Sequence, residues 1–398
     1  MYYERIYADK IKSLSTFFPV IILTGARQSG KTTLLQRLFP EYTYVSLDLP
    51  SLAEKAEQNP DEFFRDNQPP LIIDEVQYAP GLFRHIKRLV DKDRHSMGRY
   101  VLTGSQKFSL MREVSDSLAG RSVILELENL SSREILSKPF LEPAVNNSLQ
   151  LIMVRGQFPE LWRDQNLPSS AYYSSYLATY LERGVRQILN VANLRDFERF
   201  IRVLAPRSGQ LLNKSEVARD TGVSVKAVND WIGVLEASNQ IVLLEPWFKN
   251  ISKRIVKSPK LYFCDSGLLS YLLGVGIKMA DSPFKGQIWE TLVFSEIRKI
   301  NRTSENPSTI WFYRDTPSRE IDFVLERGGT LTFLECKWKE HPLKKDGEII
   351  SEIHKELMDN SLAYKPGSHY VICQTENSYS ISPDIKAVGL KDLPGILS

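Results

Sequence analysis

The stretch Val20-Ile21-Ile22-Leu23-Thr24-Gly25-Ala26-Arg27-Gln28-Ser29-Gly30-Lys31-Thr32-Thr33-Leu34-Leu35 decides the fold. An apolar run of strand type ends in a glycine-bounded loop, and a Lys-Thr pair opens a helix. This is the pattern G-x-x-x-x-G-K-[ST] in the strand–loop–helix context it requires. Gly25 and Gly30 let the backbone curl so that several N–H groups point inward at phosphate oxygens. The helix start adds its positive dipole end. Lys31 is placed to reach the β/γ-phosphates and the Thr32 hydroxyl to hold Mg²⁺. The expected nucleotide contacts are Gly25, Ala26, Arg27, Gln28, Ser29, Gly30, Lys31, Thr32 and Thr33.

A second apolar strand, Leu71-Ile72-Ile73, ends in Asp74-Glu75. Asp74 is expected to hold Mg²⁺ through its water shell. Glu75 is expected to orient and activate the attacking water. A third strand, Tyr100-Val101-Leu102, ends in Thr103-Gly104-Ser105-Gln106, where Thr103 or Ser105 is placed to sense the γ-phosphate or to position the water. Open α/β sheets bind their ligand where such carboxyl ends converge. ATP with Mg²⁺ is therefore the expected ligand.

The chain has 398 residues, so two to four domains are expected. A net charge of +3 is too small to argue for nucleic acid, and any such argument must rest on local clusters. Cys264, Cys336 and Cys373 are far apart and odd in number, which reads as reduced thiols. The histidines show no metal-ligand spacing. No signal-peptide pattern and no run of ~18 apolar residues is found, so the expected location is cytoplasmic, away from membrane.

Strand and helix alternate through residues 1–135, which predicts a parallel sheet covered by helices. A leading helix is expected over Ile6–Phe18, a helical stretch from Ser51 to Phe64 with a break at Pro60, and a helix over Pro80–Val90. A further helix is expected around Phe108–Leu118. By fold analogy, the Thr103 strand is inserted between the phosphate-loop strand and the Asp74-Glu75 strand. Arg121 precedes the last strand of this region. It reads either as an arginine on the γ-phosphate, in cis or from a neighbouring subunit, or as a structural residue.

Gly-Ala-Arg-Gln-Ser-Gly-Lys-Thr, Ile-Ile-Asp-Glu-Val-Gln, Leu-Thr-Gly-Ser-Gln and Ser-Leu-Ala-Gly-Arg together resemble the prokaryotic AAA-type ATPases that carry a C-terminal domain of unknown function, DUF4143. The resemblance continues through Arg155-Gly156-Gln157-Phe158-Pro159-Glu160, Tyr180-Leu181-Glu182-Arg183 and Ser258-Pro259-Lys260-Leu261-Tyr262-Phe263, and covers nearly the whole chain. It implies ATP binding.

Residues 136–209 read as helical. Tyr172, Tyr173, Tyr176, Leu177 and Tyr180 recur at helical spacing, as a core seam or as base-stacking rings. Residues 210–275 look like a winged helix-turn-helix: Lys214–Asp220, a turn at Gly222, then a helix whose inner face carries Val225, Val228, Trp231, Ile232 and Leu235. Its outer face offers Lys226 and Asn229 but also Asp230, which suits either DNA or an architectural role. Lys249, Lys253, Arg254, Lys257 and Lys260, flanked by Phe248 and Tyr262, form the densest basic stretch. It reads as a phosphate-tracking patch or a solvated face.

In residues 276–398, a helix over Phe284–Ile300 carries Glu290, and strands at Ile310–Tyr313, Glu320–Leu325 and Thr330–Trp338 carry Asp322 and Glu335-Cys336-Lys337. This looks like the PD-(D/E)xK nuclease fold. Alternate strand residues share a face, so Glu335 and Lys337 point the same way. The resemblance implies that Asp322, Glu335 and Glu290 hold Mg²⁺ and that Lys337 positions or activates a water. Arg314 and Arg319 are candidate phosphate contacts. The alternative is an inert scaffold in which Glu335 and Lys337 are an ordinary ion pair.

The expected fold class is thus α/β: a P-loop NTPase parallel sheet, a helical and winged helix-turn-helix region, then a small α/β nuclease-like domain. The expected function is ATP hydrolysis coupled to DNA binding or metal-dependent DNA cleavage. The alternative is an ATP-dependent switch that binds a protein partner through inert C-terminal domains. Either is compatible with an oligomer.

Overall fold

The computed structural model describes residues 2–105, 117–138, 145–180, 194–247, 258–276, 279–315, 319–360 and 364–397. The chain divides into two compact units. The first comprises Met1–Leu130 with Phe158–Glu160 and Ala237–Asn239; the second comprises Ser131–Gln157, Leu161–Glu236 and Gln240–Ser398. The expected segments 136–209, 210–275 and 276–398 thus fall in the second unit, apart from those two short stretches.

In the first unit, β1 (Val20–Thr24), β2 (Thr43–Ser46), β3 (Leu71–Asp74), β4 (Tyr100–Gly104) and β5 (Ser122–Glu126) form one parallel sheet in the order β2-β3-β4-β1-β5. Strand β4 lies between the loop strand β1 and the Asp74 strand β3, as the sequence predicts. A strand buried on both faces reads as a continuous apolar run, and β1 is buried throughout. Its side chains alternate between two cores. Val20 and Ile22 join Leu71, Ile73, Tyr100 and Leu102 on one face, while Ile21 and Leu23 join Ile72 and Val101 on the other.

Among the described residues this sheet is covered by α1 (Ala8–Ser15), α2 (Lys31–Leu38), α3 (Pro50–Gln58), α4 (Pro60–Asp66) and α5 (Leu82–Lys92). Pro60 starts a new helix, as a proline tolerates the first turn but not the interior. The leading helix is shorter than Ile6–Phe18. The hydroxyls of Ser15 and Thr16 donate back to the carbonyls of Lys12 and Ser13, which closes its last turn early. The helix expected around Phe108–Leu118 lies mostly outside the described residues.

The second unit includes the helices α6 (Val145–Arg155), α7 (Ser169–Tyr180) and α8 (Leu194–Leu204). The α7 tyrosines are buried. Tyr176 stacks on Tyr172 and Tyr180, and Tyr173 donates to the Asp265 carboxylate, so the stripe is core and its rings face protein. Two helices follow, α9 (Lys214–Thr221) and α10 (Val225–Ala237). Asn213 caps the first by accepting from the N–H groups of Ser215 and Glu216. Gly222 turns the chain at φ 77°, a left-handed conformation that favours glycine. Trp231 on α10 packs edge-on against Phe197 and Phe200 of α8, at 5.3 and 5.2 Å between centroids. A small antiparallel sheet, β6 (Gln210–Leu211), β8 (Lys260–Phe263) and β7 (Ile241–Leu244) in that spatial order, flanks the pair.

The last region holds α11 (Ser266–Leu272), α12 (Lys285–Thr303), β9 (Thr309–Arg314), β10 (Glu320–Arg327), β11 (Thr330–Cys336), α13 (Glu348–Asn360), β12 (Lys365–Pro366), β13 (His369–Ile372), β14 (Tyr379–Ser382) and β15 (Ile385–Val388). The sheet runs β14-β15-β13-β11-β10-β9, with β12 beside β11. The meander β9-β10-β11 is antiparallel, and β13 adds in parallel after α13. Its core joins Ile321, Val324, Phe333 and Val371 to Trp247.

The α8–α10 seam rests on one ring. Trp231→Ala is expected to destabilise the second unit by ~3–5 kcal/mol, the usual cost of emptying a buried aromatic site. Urea unfolding followed by far-UV circular dichroism checks this; a loss below ~1 kcal/mol contradicts the packing role.

Candidate functional site

The loop between β1 and α2 is shaped by its glycines. Gly25 sits at φ 146°, and a Cβ there would lie 2.2 Å from the Leu127 carbonyl oxygen. Gly30, at φ 89°, opens α2, and no side chain caps the helix start. The first-turn N–H groups are therefore left to an anion, as their number and direction favour. Ser29 is fully buried and its hydroxyl has no hydrogen-bond partner. These are features of a phosphate cradle, and the residues present fit a bound nucleotide.

Lys31 is also buried, and its ammonium donates to the Gly25 and Ala26 carbonyls at 3.0 and 2.9 Å. Burial lowers its pKa, while Glu75 and Asp74 oppose that shift. Register places the Asp74 end of β3 near the loop through β4, because Ile73 pairs with Leu102, and Leu102 with Ile22. Asp74 then collects three hydroxyls. Thr32 and Tyr44 each donate to Oδ2 at 2.7 Å, and Thr103 donates to Oδ1. One step on, Glu75 has φ 54°, a strained left-handed backbone for a non-glycine residue. The Ser105 hydroxyl and N–H approach its Oε2 at 3.3 and 3.4 Å, and the Gln77 amide donates to the same oxygen. The structure thus brings Lys31, Thr32, Asp74, Glu75, Thr103 and Ser105 to one end of the sheet. An acidic Thr-Asp pair of this kind suits a divalent cation that keeps most of its water.

Three residues of this site escape the motif reading. Tyr44 reaches Asp74 from β2, and burial followed by the bond to Asp74 raises its pKa. Gln77 holds Glu75; it stands in the Ile-Ile-Asp-Glu-Val-Gln stretch, where its spacing of two from Glu75 is the available signal. Arg5 comes from the chain start. Its guanidinium donates to the Ser29 carbonyl at 2.8 Å and to those of Glu128 and Asn129 at 2.5 and 3.2 Å. It ties the phosphate loop to the segment after β5, and nothing in the sequence marks it.

Arg121 is not at this site within its own chain. Ser122 pairs with Val20, so Arg121 lies at the opposite end of the sheet from Gly25. There it forms a two-pronged ion pair with Asp91, at 2.6 and 3.1 Å.

A second acidic cluster stands in the last region. Lys337 donates to Glu335 Oε1 at 2.7 Å, and Asp322 Oδ2 accepts from the Cys336 N–H at 2.8 Å. Glu290 accepts from Tyr262. Burial, then the Asp322 charge, push Glu290 up to about 7 and Glu335 up to about 8. Among the described residues no group of three His, Cys, Asp or Glu side chains that could hold a metal ion is found, the expected set of Glu290, Asp322 and Glu335 included. Lys260 stands among these carboxylates. It belongs to the expected basic surface patch, yet its side chain is 1% exposed and its ammonium lies among Glu320, Glu290 and Asp322. Burial would lower its pKa, but the charges of Glu290, Asp322 and Glu320 outweigh this and raise it. Tyr262, the expected flanking ring, is buried too. Phe248, Lys249, Lys253, Arg254 and Lys257 lie outside the described residues, as do Leu181-Glu182-Arg183. Arg314 pairs with Glu320, and Arg319 with Asp315 and Glu356, so these expected phosphate contacts are engaged within the protein.

A five-stranded parallel sheet with a strand between its loop strand and its Asp-Glu strand is the core of an AAA-type ATPase, and nucleotide binding follows from that fold and its loop. The chain belongs to the family of AAA-domain proteins that carry the domain of unknown function DUF4143. The AAA domain model matches residues 18–136, DUF8612, a domain of unknown function, matches 146–278, and DUF4143 matches 285–393. An uncharacterized protein of Mycobacterium tuberculosis is 31% identical over 370 residues, covering 88% of this chain and 77% of its own. An uncharacterized protein of Methanocaldococcus jannaschii is 24% identical over 331 residues, covering 76% and 71%. Among solved structures, a Walker-type ATPase of Pyrococcus abyssi is similar with a TM-score of 0.45 and 14% identity, covering 68% of this chain and 96% of that one. No helix among the described residues is long and apolar enough to cross a membrane.

Arg5→Ala is expected to weaken nucleotide binding about tenfold, because hydrogen bonds from a charged donor contribute ~1.5–3 kcal/mol each and the loop must then be ordered on binding. Calorimetric titration with a non-hydrolysable nucleotide checks this. An unchanged Kd in the folded variant contradicts the bracing role.

Proposed function

We propose that the chain hydrolyses ATP with Mg²⁺ at the β1–α2 loop and that its nucleotide state controls nucleic-acid binding by the second unit. The observation that carries the first part is Asp74, which meets the Thr32 hydroxyl while the neighbouring Glu75 is held by Gln77 and Ser105. In this reading the loop from Gly25 to Thr33 cradles the phosphates with its N–H groups. Lys31 leaves its two carbonyl partners to pair with the terminal phosphates. Thr32 and Asp74 hold Mg²⁺, which when bound neutralises charge building on the phosphates. Glu75 takes the proton of the attacking water. Gln77 and Ser105 fix the direction of its carboxylate, and Thr103 fixes Asp74. An arginine from a neighbouring subunit, Arg121, could complete the site only if its pair with Asp91 opens.

Nucleic acid enters through weaker support. Helices α9 and α10 with the β6-β8-β7 sheet suit a winged helix-turn-helix, and α10 exposes Lys226 and Asn229. The sequence adds Lys249, Lys253, Arg254 and Lys257 nearby. Metal-dependent DNA cleavage has less support, since no acidic group that could hold a metal ion is found among the described residues. That observation favours, as the second reading, a switch whose second unit binds a protein partner without cutting DNA.

Glu75→Gln is expected to keep ATP bound while lowering kcat by ~10²–10⁴, the usual share of a general base. Lys31→Ala is expected to raise the nucleotide Kd by about tenfold or more. Phosphate release together with nucleotide titration separates the two; full turnover by Glu75→Gln contradicts the base assignment. DNA retention should fall steeply between ~50 and ~200 mM salt and weaken further when Lys253, Arg254 and Lys257 are neutralised together. Absence of DNA binding at low salt, with every nucleotide, would leave the protein-partner reading.

A further inference from the structure

We propose that Lys260 is a tethered cation standing where a divalent metal would sit among Glu290, Glu320 and Asp322, so that this acidic cluster binds no metal ion while the ammonium is in place. Its Nζ lies 2.5 Å from Glu320 Oε1, 3.5 Å from Glu290 Oε1 and 3.8 Å from Asp322 Oδ1. A compact ammonium with three donors matches three carboxylates in number and sign. Its aliphatic stem is enclosed, and Nζ sits 5.5 Å from the centre of the Phe312 ring.

Two features keep the ammonium there. Lys260 is a strand residue whose backbone pairs with Leu211 on one side and Leu244 on the other, so the side chain starts from a fixed point. Other groups also donate to this cluster. Tyr262 donates to Glu290, the Cys336 N–H to Asp322, and Lys337 to Glu335. Glu335 Oε2 is a buried oxygen of the cluster without a hydrogen-bond partner. A hard cation needs several oxygens at close range in near-octahedral order, and here it must first displace a covalently attached positive charge from the same space. An unpaired buried ammonium would in turn carry a large desolvation cost, so the lysine and its carboxylates hold each other. The acidic pattern Asp322…Glu335-x-Lys337 is thus complete, while its cation is supplied by the chain itself.

The inference does not depend on ATP hydrolysis, and its test omits nucleotide. Mn²⁺ is titrated into the full-length protein and followed by electron paramagnetic resonance, for the wild type, Lys260→Met, Lys260→Arg and Lys260→Met/Asp322→Asn. The wild type and Lys260→Arg are expected to show no Mn²⁺ site sensitive to Asp322. Lys260→Met is expected to gain one, at least ten times tighter than any wild-type binding, and the double variant to lose it. A folded Lys260→Met that gains no Mn²⁺ overturns the proposal. If Lys260→Met fails to fold by circular dichroism, the wild type decides alone. A wild-type Mn²⁺ site lost in Asp322→Asn or Glu335→Gln overturns the proposal, and no such site supports it.

Discussion

One carboxylate ties the nucleotide end of the first unit together. Asp74 accepts from Thr32 on α2, Tyr44 on β2 and Thr103 on β4, while its own strand β3 lies between the last two. Three strands and the loop helix therefore share a single acceptor. A carboxylate with this many donors is held in one place, which a site for phosphate chemistry requires, since misplacement by an ångström costs rate steeply. The sheet beneath explains how the donors arrive there. Parallel register carries every strand's carboxyl end to the same edge, and two apolar cores fix that register from both faces.

The same chain solves the problem of clustered negative charge in a second way. Around Asp74 the partners are neutral hydroxyls, which leaves the charge available to an external cation. Around Asp322 the partner is a buried lysine, which neutralises the charge from within. Hydroxyl donors at one cluster and an ammonium donor at the other are what the proposed difference in metal binding rests on. The pKa directions agree: crowding and burial raise Glu290 and Glu335.

Much of the fold was legible in the sequence, for physical reasons that differ by region. Runs such as Val20–Leu23 and Leu71–Ile73 are apolar at every position because both faces are covered, and their polar ends mark the ligand edge. The insertion of β4 between β1 and β3 came from analogy, yet the pairing of Leu102 with both Ile22 and Ile73 bears it out. Gly222 announced its turn because few other residues adopt its left-handed conformation. Three things were hidden. Arg5 acts on a loop more than twenty residues away and on carbonyls beyond 120, so no local spacing reveals it. Arg121 looked well placed because it precedes a strand, but parallel register sets the start of β5 at the far edge from the loop. Lys260 read as one more surface cation in a basic run. Its burial is decided by strand β8 pairing on both sides, which charge pattern alone does not show.

The most direct test of the account is steady-state phosphate release from ATP by the purified chain and by Asp74→Asn, with Mg²⁺ and with chelator. The account predicts release that needs Mg²⁺ and falls by at least ~10²-fold in Asp74→Asn, as loss of a charge-stabilising group in a phosphoryl-transfer site implies. Release that persists at the wild-type rate in Asp74→Asn, or that ignores Mg²⁺, would contradict it.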